Sequence, residues 1–337
     1  MTFFNGEIDF SDSSVMLDCI KFYAKSEELC LNSEDFRALT MSVMTDSEGG
    51  SYHVSAEMYA DFFLTFDSNK DGKIDVKEFE TVWYKWIKPL LNPVSALLII
   101  DVQNDFIDGA LALKNCPAKQ DSVDVVPIIN DLLESVKFDL VVYSLDCHPE
   151  KHISFFECLN YDKLSEAYKT KEFSLYDTVV FEKPSKMEQK LWPRHCVKGT
   201  WGAQLHSDLK IAPDSCFIYK GVNPDVDSYS AFQDNMKFNQ TALDSELKKI
   251  GVTHVFICGV ALDYCVAFTA FDALEYGYAT VVIEDASRGT NNDVMQKMKQ
   301  KLESKLCVLT KVNEVDDFVK GKNIRPEFGC IFRNNIK

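Results

Sequence analysis

The chain has 337 residues, enough for about two domains at roughly 150 residues each, and 46% of them are hydrophobic, as in a globular protein. Its formal net charge of -16 disfavours nucleic acid and anionic membrane surfaces as partners. No apolar run approaches the length of about 20 residues that a membrane-spanning helix needs. The 11 cysteines are scattered rather than arranged as a disulfide framework. We therefore expect reduced thiols and a location in the cytoplasm, with the nucleus left open.

Helical spacing dominates residues 1 to about 90, and the prolines of KPLLNPVS (88–95) predict a linker, because proline discourages helix continuation. Beyond it, short apolar runs alternate with helical spacing. The predicted strands are 95–102, 140–146, 216–221, 254–260, 279–285 and 306–310, and the predicted helices are 125–136, 262–276 and 292–304. This alternation predicts a doubly wound α/β domain over residues 91–337, with a mostly parallel sheet and functional residues at the carboxyl ends of its strands.

The loop 67–78 (DSNKDGKIDVKE) has the ligand spacing of an EF-hand, with a glycine at the sharp turn and a hydrophobic residue, Ile74, at loop position 8. The predicted calcium ligands are Asp67, Asn69, Asp71, the Lys73 carbonyl, Asp75 and Glu78. An acidic solvated loop is the less specific alternative. Because every liganding position carries an oxygen donor, we predict a calcium-binding hand at about residues 55–88.

A second, degenerate hand is predicted upstream, at about residues 15–45. EF-hands pair through position 8, and the segment 24–35 (AKSEELCLNSED) aligns with Leu31 at that position, although it lacks Asp at position 1 and Gly at position 6. We expect it to be metal-free and to pack against the first. Residues 1–90 are thus predicted to form a smaller all-α EF-hand domain.

A carboxylate and three imidazoles follow the second predicted strand of the larger domain. Asp146, His148 and His152 are spaced D-x-H-x-x-x-H, and His195 lies in the turn-like stretch LWPRHCVKGT. Such a set suits Zn²⁺, Fe²⁺ or Mn²⁺, with positions left for water or substrate. From spacing alone, ordinary surface or core histidines are an equally open interpretation.

Three further strand ends carry an acid, a lysine and a thiol. Asp101 closes the apolar run SALLIIDV, Lys220 ends CFIYKG, and Cys265 lies just after a buried strand, in the first turn of the next helix. A thiol at a helix N-terminus lies in positive potential, which favours the reactive thiolate, whereas a buried structural cysteine is the simpler alternative. The layout is that of an assisted thiol nucleophile, with Asp101 as base.

At this point the sequence resembles the nicotinamidases of the isochorismatase-like cysteine hydrolase superfamily. The matching stretches are LLIIDVQNDF, the histidine-containing segment 146–155, WPRHCVKGT, YKG followed by DSYSAF, and GVALDYCV, in the same order along residues 95–315. The EF-hand region is a departure from common relatives. True isochorismatases resemble the chain in fold but lack the nucleophilic cysteine.

The resemblance implies that Asp101, Lys220 and Cys265 form a catalytic triad and that Asp146, His148, His152 and His195 carry a divalent metal. It implies an aromatic clamp on the substrate at Phe106, Trp192 and Tyr229. It also implies oxyanion donors at the Ala261 and Cys265 N–H groups, beside a cis peptide between Val260 and Ala261. The implied reaction is hydrolysis of nicotinamide to nicotinate and ammonia through a cysteine thioester, in NAD salvage.

A second hypothesis is a calcium-responsive interaction protein, whose hydrolase half acts on another small amide or serves as an inactive scaffold. The presence of all seven presumed catalytic and metal residues argues against an inactive scaffold. The expected partner is the small-molecule substrate, without nucleic acid or membrane, and the sequence leaves homo-oligomer formation open.

Overall fold

The amino-terminal region is helical with two very short strands. The structure is a computed structural model that describes residues 2–4, 6, 8–25 and 28–336. The elements of this region are α1 (Ser13–Tyr23), β1 (Cys30–Leu31), α2 (Ser33–Val43), α3 (Ala56–Phe66), β2 (Ile74–Asp75) and α4 (Val76–Val82). Strands β1 and β2 are antiparallel and place Leu31 opposite Ile74, the pairing predicted for the two position-8 residues. Ser26 and Glu27 of the predicted degenerate loop lie outside the described residues.

The predicted linker is shorter than the proline pattern indicated. Helix α4 continues through a π-helical turn (Trp83–Ile87) into α5 (Lys88–Leu91), so that Pro89 is helical. Pro89 follows the π-helical turn, where the regular α-helical hydrogen-bond ladder is already interrupted. The prediction that the linker begins at Lys88 is therefore wrong, and residues 92–94 alone connect the two regions.

The larger region is built on a six-stranded parallel sheet. Its strands are β3 (Ser95–Ile100), β4 (Leu140–Asp146), β7 (Cys216–Lys220), β8 (His254–Val260), β9 (Ala279–Arg288) and β10 (Val308–Thr310), with β5 (Thr178–Phe181) and β6 (Met187–Lys190) forming a separate antiparallel hairpin. The order across the sheet is β10-β9-β8-β3-β4-β7, and all neighbours are parallel. The hairpin was not predicted.

Helices cover both faces of the sheet. They are α6 (Asn104–Ile107), α7 (Val125–Ser135), α8 (Leu243–Lys249), α9 (Ala267–Glu275, preceded by a π-helical turn at Leu262–Val266), α10 (Asn292–Glu303), α11 (Val312–Val319) and α12 (Pro326–Asn334). Leu97 of β3 packs in one apolar core with Ile129 of α7, whereas its neighbour Leu98 packs in a second core with Ala270 of α9. The predicted doubly wound α/β fold is confirmed. No helix within the described residues combines the length and apolar character needed to cross a bilayer.

The carboxy-terminal helix α12 joins the two regions of the chain. The indole Nε1 of Trp86 donates to the Gly329 carbonyl at 2.9 Å, and the Ile324 N–H donates to the Thr45 carbonyl at 2.8 Å. Phe328 of α12 belongs to one continuous apolar core with Trp86 and with Leu97 of the sheet. A boundary between residues 90 and 91 stays a prediction, because this core crosses it.

Candidate active site

The sheet topology brings the predicted reactive residues to one edge. From β3 the chain proceeds outward through β4 to β7 and then returns to β8 on the other side of β3, so a topological switch point lies between β3 and β8. Ile100 pairs with Gly259, and Asp146 pairs with Lys220. Gly259 is required there, because a Cβ would lie 2.2 Å from the Ile100 oxygen. Asp101 and Cys265 follow the two strands at the switch point.

Lys220 is the centre of a buried polar cluster. Its Nζ lies 2.8 Å from Asp101 Oδ2, 2.5 Å from Asp146 Oδ1 and 3.3 Å from Cys265 Sγ, and it donates to the Ser228 carbonyl at 3.0 Å. Asp101 and Lys220 are 0% and 1% exposed. The structure thus brings together the three side chains predicted as catalytic, in contact through the lysine.

The environment of this cluster keeps the thiol protonated at rest. Burial raises the pKa of Cys265 well above its ordinary value, although the Lys220 ammonium opposes the shift. Burial also raises the pKa of Asp101, which makes it a better proton acceptor, while Lys220 lowers it. Desolvation thus opposes the helix potential that favours the thiolate. A base must take the thiol proton when substrate is bound.

Asp146 and two imidazoles form a group of metal-ligand geometry beside the lysine. Asp146 Oδ2 lies 3.6 Å from His148 Nε2 and 3.8 Å from His195 Nε2. The Nδ1 atoms of these rings contact backbone oxygens, that of Gly221 at 2.9 Å and that of Pro193 at 2.7 Å, which leaves each Nε2 turned inward. A backbone acceptor behind each ligating histidine is the usual arrangement at metal sites.

His152 occupies an adjoining position rather than the same group. Its ligand atom lies within 4.8 Å of those of His148 and Asp227, and the His148 and His152 rings are 4.1 Å apart. Its Nδ1 contacts the Ser154 hydroxyl at 2.7 Å. Within the described part of the chain, its buried Nε2 has no hydrogen-bond partner. An orphaned imidazole nitrogen beside carboxylates fits a divalent cation, and burial lowers the pKa of His152 to about 4, so the ring is neutral and able to ligate.

The cationic groups around Asp146 favour its ionised form. Burial opposes ionisation of Asp146, but Lys220 and His148 together hold its pKa well below the ordinary value. Burial likewise opposes charge on His148, while Asp146 raises its pKa. Gly221 permits this packing, because its φ of 65° is left-handed and a Cβ there would lie 2.4 Å from the His148 ring.

A cavity opens onto the thiol and the metal-ligand group. Its lining includes Cys265, Asp146, His195, Ala261 and the three predicted clamp residues, Phe106, Trp192 and Tyr229. Tyr264 also lines it and was missed, although it directly precedes the cysteine; its ring packs 4.9 Å from Trp192 and 5.4 Å from Tyr229. The peptide between Val260 and Ala261 is cis, as the resemblance implied.

The EF-hand loop has the backbone turn and the donors predicted for it. Gly72 has a φ of 84°, and its N–H donates to Asp67 Oδ2 at 2.9 Å. Asp67 and Glu78 are 3% and 8% exposed, and within the described residues no cationic side chain lies within 4.0 Å of either carboxylate. The Lys73 ammonium turns outward to Glu28 at 2.6 Å, which leaves its carbonyl as the donor. These buried oxygens fit a hard divalent cation.

Comparisons with known proteins agree with this fold. The model of the isochorismatase domain matches residues 95–314, and that of the EF hand matches residues 60–83. The nicotinamidase of Escherichia coli is 37% identical over 203 residues, covering 59% of this chain and 85% of the relative. The nicotinamidase of Saccharomyces cerevisiae is 35% identical over 225 residues, covering 63% and 96%. Among solved structures, the nicotinamidase/pyrazinamidase of Acinetobacter baumanii superposes with a TM-score of 0.57 at 34% identity, covering 66% of this chain and 98% of that one.

The chain has a doubly wound α/β fold. An acid, a lysine and a thiol lie in contact at its switch point, as in a hydrolase that uses a cysteine nucleophile. The chain belongs to the isochorismatase family, which its matched domain and its relatives show together. The chain is therefore an amide hydrolase that also carries an EF-hand sequence.

Proposed function

We propose that the protein hydrolyses nicotinamide to nicotinate and ammonia through a Cys265 thioester and thereby serves NAD salvage. The observation that carries the proposal is the buried Asp101, Lys220 and Cys265 contact, which opens into an aromatic cavity beside a metal-ligand group. The relatives support the choice of amide, since several are nicotinamidases and a solved yeast nicotinamidase is described as bound to the inhibitor nicotinaldehyde.

A divalent cation, Zn²⁺ or otherwise Fe²⁺ or Mn²⁺, would be held by Asp146, His148 and His195, with His152 from the adjoining position. When bound, it supplies a Lewis acid for a ring nitrogen of the substrate and for water. The rings of Phe106, Trp192 and Tyr229 would hold the flat pyridine by stacking and edge contacts and so direct its carboxamide toward the thiol.

The first half-reaction forms the thioester. Asp101 takes the thiol proton, and the sulfur of Cys265 adds to the amide carbon. The N–H groups of Ala261 and Cys265 are proposed to donate to the resulting oxyanion. Lys220 remains charged and stabilises the negative charge as it moves from Asp101 toward the sulfur, since its pKa is raised well above the ordinary value by Asp101 and Asp146 against the effect of burial. Asp101 then returns the proton to nitrogen, the carbon–nitrogen bond breaks, and ammonia leaves.

The second half-reaction releases the acid. Asp101 accepts a proton from a water molecule, which attacks the thioester carbon, and the carbon–sulfur bond breaks to give nicotinic acid and the sulfur anion. The acid loses its proton to solvent, or to the departed ammonia, and leaves as nicotinate. The proton on Asp101 returns to the sulfur and restores the resting thiol. One carboxylate thus acts as base and then as acid in each half-reaction, a role that its raised pKa favours.

The amino-terminal region, residues 1–90, is proposed to be a calcium-binding module, with a binding hand at about 55–88 and a metal-free hand at about 15–45. Its ligands would be Asp67, Asn69, Asp71, the Lys73 carbonyl, Asp75 and Glu78. The pairing of Leu31 with Ile74 supports a two-hand unit in which the upstream hand stabilises the downstream one.

Ammonia release from nicotinamide by the purified full chain tests the proposal. Turnover should disappear with a chelator, return with zinc or iron and fail to return with calcium alone. Cys265→Ala should abolish turnover, whereas Cys216→Ala, a half-buried cysteine at the start of β7, should retain it. Full turnover by Cys265→Ala, or no turnover under any metal, would overturn the assignment in favour of another mechanism or another amide.

A further inference from the structure

Asp227 is a buried carboxylate at the active site to which sequence reasoning assigned no role. It lies in the loop after β7, is 4% exposed and lines the cavity that opens onto Cys265. Its hydrogen-bond donors are neutral: the Gln189 side-chain amide at 3.0 Å to Oδ2 and the Ser228 N–H at 2.8 Å to Oδ1. Within the described residues, no lysine, arginine or histidine nitrogen lies within 4.0 Å of it. A buried carboxylate without a cation is costly, so a cation is expected nearby.

The geometry shows where that cation would lie. Ligand atoms of Asp227, His148 and His152 lie within 4.8 Å of one another. Donors on one ion at about 2.0 to 2.2 Å lie no more than about 4.4 Å apart, so a small inward movement would bring all three onto one ion. The His152 Nε2 atom is buried without a hydrogen-bond partner in the described part of the chain, which is a second, independent indication of a missing ligand on this side.

The charges of the cluster lead to the same position. Lys220 is shared between Asp101 and Asp146, so this trio carries one net negative charge against a divalent ion. One further carboxylate would bring the net charge of this trio and a divalent ion to zero. Asp227 is the carboxylate of the second metal-ligand group, which it forms with His148 and His152.

We propose that Asp227 supplies the second carboxylate of the metal centre and that the Gln189 amide orients it. The group that Asp227 forms with His148 and His152 then makes His152 part of the same metal centre. The inference rests on the metal site of the proposed function. It predicts that the ion is held between two carboxylates from different parts of the sheet edge, Asp146 at the end of β4 and Asp227 in the loop after β7.

Zinc affinity tests the proposal without relying on turnover. The full chain is titrated with Zn²⁺ against a chromophoric chelator in saturating calcium, which fills the EF-hand. Asp227→Asn should weaken zinc binding by about 10- to 100-fold, the effect typical of groups that support a metal site. Asp227→Glu should recover much of the affinity. The matched control is Asp225→Asn, whose half-exposed carboxylate pairs with Lys163 at 2.8 Å and should leave affinity unchanged.

The outcomes separate this inference from the proposed function. If the wild type binds no zinc, or if His148→Ala leaves its affinity unchanged, the metal site itself is wrong and the inference falls with it. If His148→Ala abolishes binding but Asp227→Asn binds as tightly as wild type, the role of Asp227 alone is overturned. Should Asp227→Asn not fold, Gln189→Leu removes the orienting donor, and unchanged zinc affinity in that variant would also overturn the proposal.

Discussion

Replacement of Lys220 by methionine should destabilise the fold as well as stop the chemistry. Methionine keeps much of the length of the side chain but removes the ammonium that lies 2.8 Å from Asp101 and 2.5 Å from Asp146. The side chains of Lys220 and Asp101 are fully buried, and that of Asp146 is 6% exposed. Loss of one partner of a buried ion pair typically costs about 3 to 5 kcal/mol of unfolding free energy. Because two carboxylates lose the same partner, we expect at least this loss at pH 7.

The pH dependence follows from the direction of the pKa shifts. In the wild type, the pKa of Asp146 is held well below 3.8 in the folded state, so its contribution is present above that pH and is lost as the pH falls. In the Lys220→Met variant, burial without a cation should raise the pKa of Asp146 above 3.8 and should raise that of Asp101, which is already raised in the wild type, further. Their protonated forms then stabilise the fold at low pH, and stability is lost as the pH rises. The gap between the two proteins should therefore be widest near pH 7 and shrink toward pH 4.

Urea unfolding at several pH values, with a chelator present throughout, measures this gap. Lys237→Met is the control, because its pair with Glu275 is exposed and should contribute less than about 1 kcal/mol at any pH. If Lys220→Met unfolded within about 1 kcal/mol of the wild type with no dependence on pH, the reasoning that the lysine neutralises two buried carboxylates would be refuted.

Two further predictions concern the amino-terminal hand and the strand beneath α12. Glu78→Gln should weaken calcium binding by about tenfold or more, because it removes the carboxylate at loop position 12, and nicotinamide turnover should stay unchanged. Calorimetry measures the calcium affinity and an ammonia assay measures the turnover. The control is Glu80→Gln, at an exposed neighbouring position. Burial lowers the pKa of His254 to about 3, so the wild type should lose about 1.4 kcal/mol per pH unit below its ordinary value of 6.5. Between pH 7 and pH 5, the unfolding free energy of His254→Leu should fall less than that of His53→Leu, a control at an exposed position. Urea unfolding at the two pH values measures both losses, and equal losses would contradict the prediction.

The parts of the site that lie at strand ends could be predicted from the sequence. A continuous apolar run marks a buried parallel strand, and the polar residue that closes it must lie at the carboxyl edge of the sheet. Asp101 and Lys220 were found in this way, and the cysteine after β8 follows the same rule. The parallel order of the sheet then brings them together whatever the length of the connections between them.

The parts of the site that lie in long loops could not be predicted from periodicity. Asp227 opens the quoted stretch DSYSAF, but its distance from the histidines depends on how the loop after β7 folds back, and loops have no repeating pattern. Its position between Lys220 and Tyr229 in sequence was the available signal. The raised pKa of Cys265 could not be predicted from the helix turn that carries it either, because the burial that raises it comes from tertiary packing.

The helix α12 has a consequence for how the chain can be divided. Because Gly329 accepts the Trp86 indole hydrogen bond and Phe328 packs under the sheet, the last helix of the polypeptide closes the core of the first region. A fragment that begins at residue 91 would expose the apolar surface that Trp86 covers. A fragment that ends at residue 90 would lose helix α12, which covers its core. We therefore expect the EF-hand region and the hydrolase region to unfold as one cooperative unit, and an ion bound at the proposed hand to add to the stability of the whole. Transfer of the EF-hand region to another enzyme would require the distant segment that contains α12 as well.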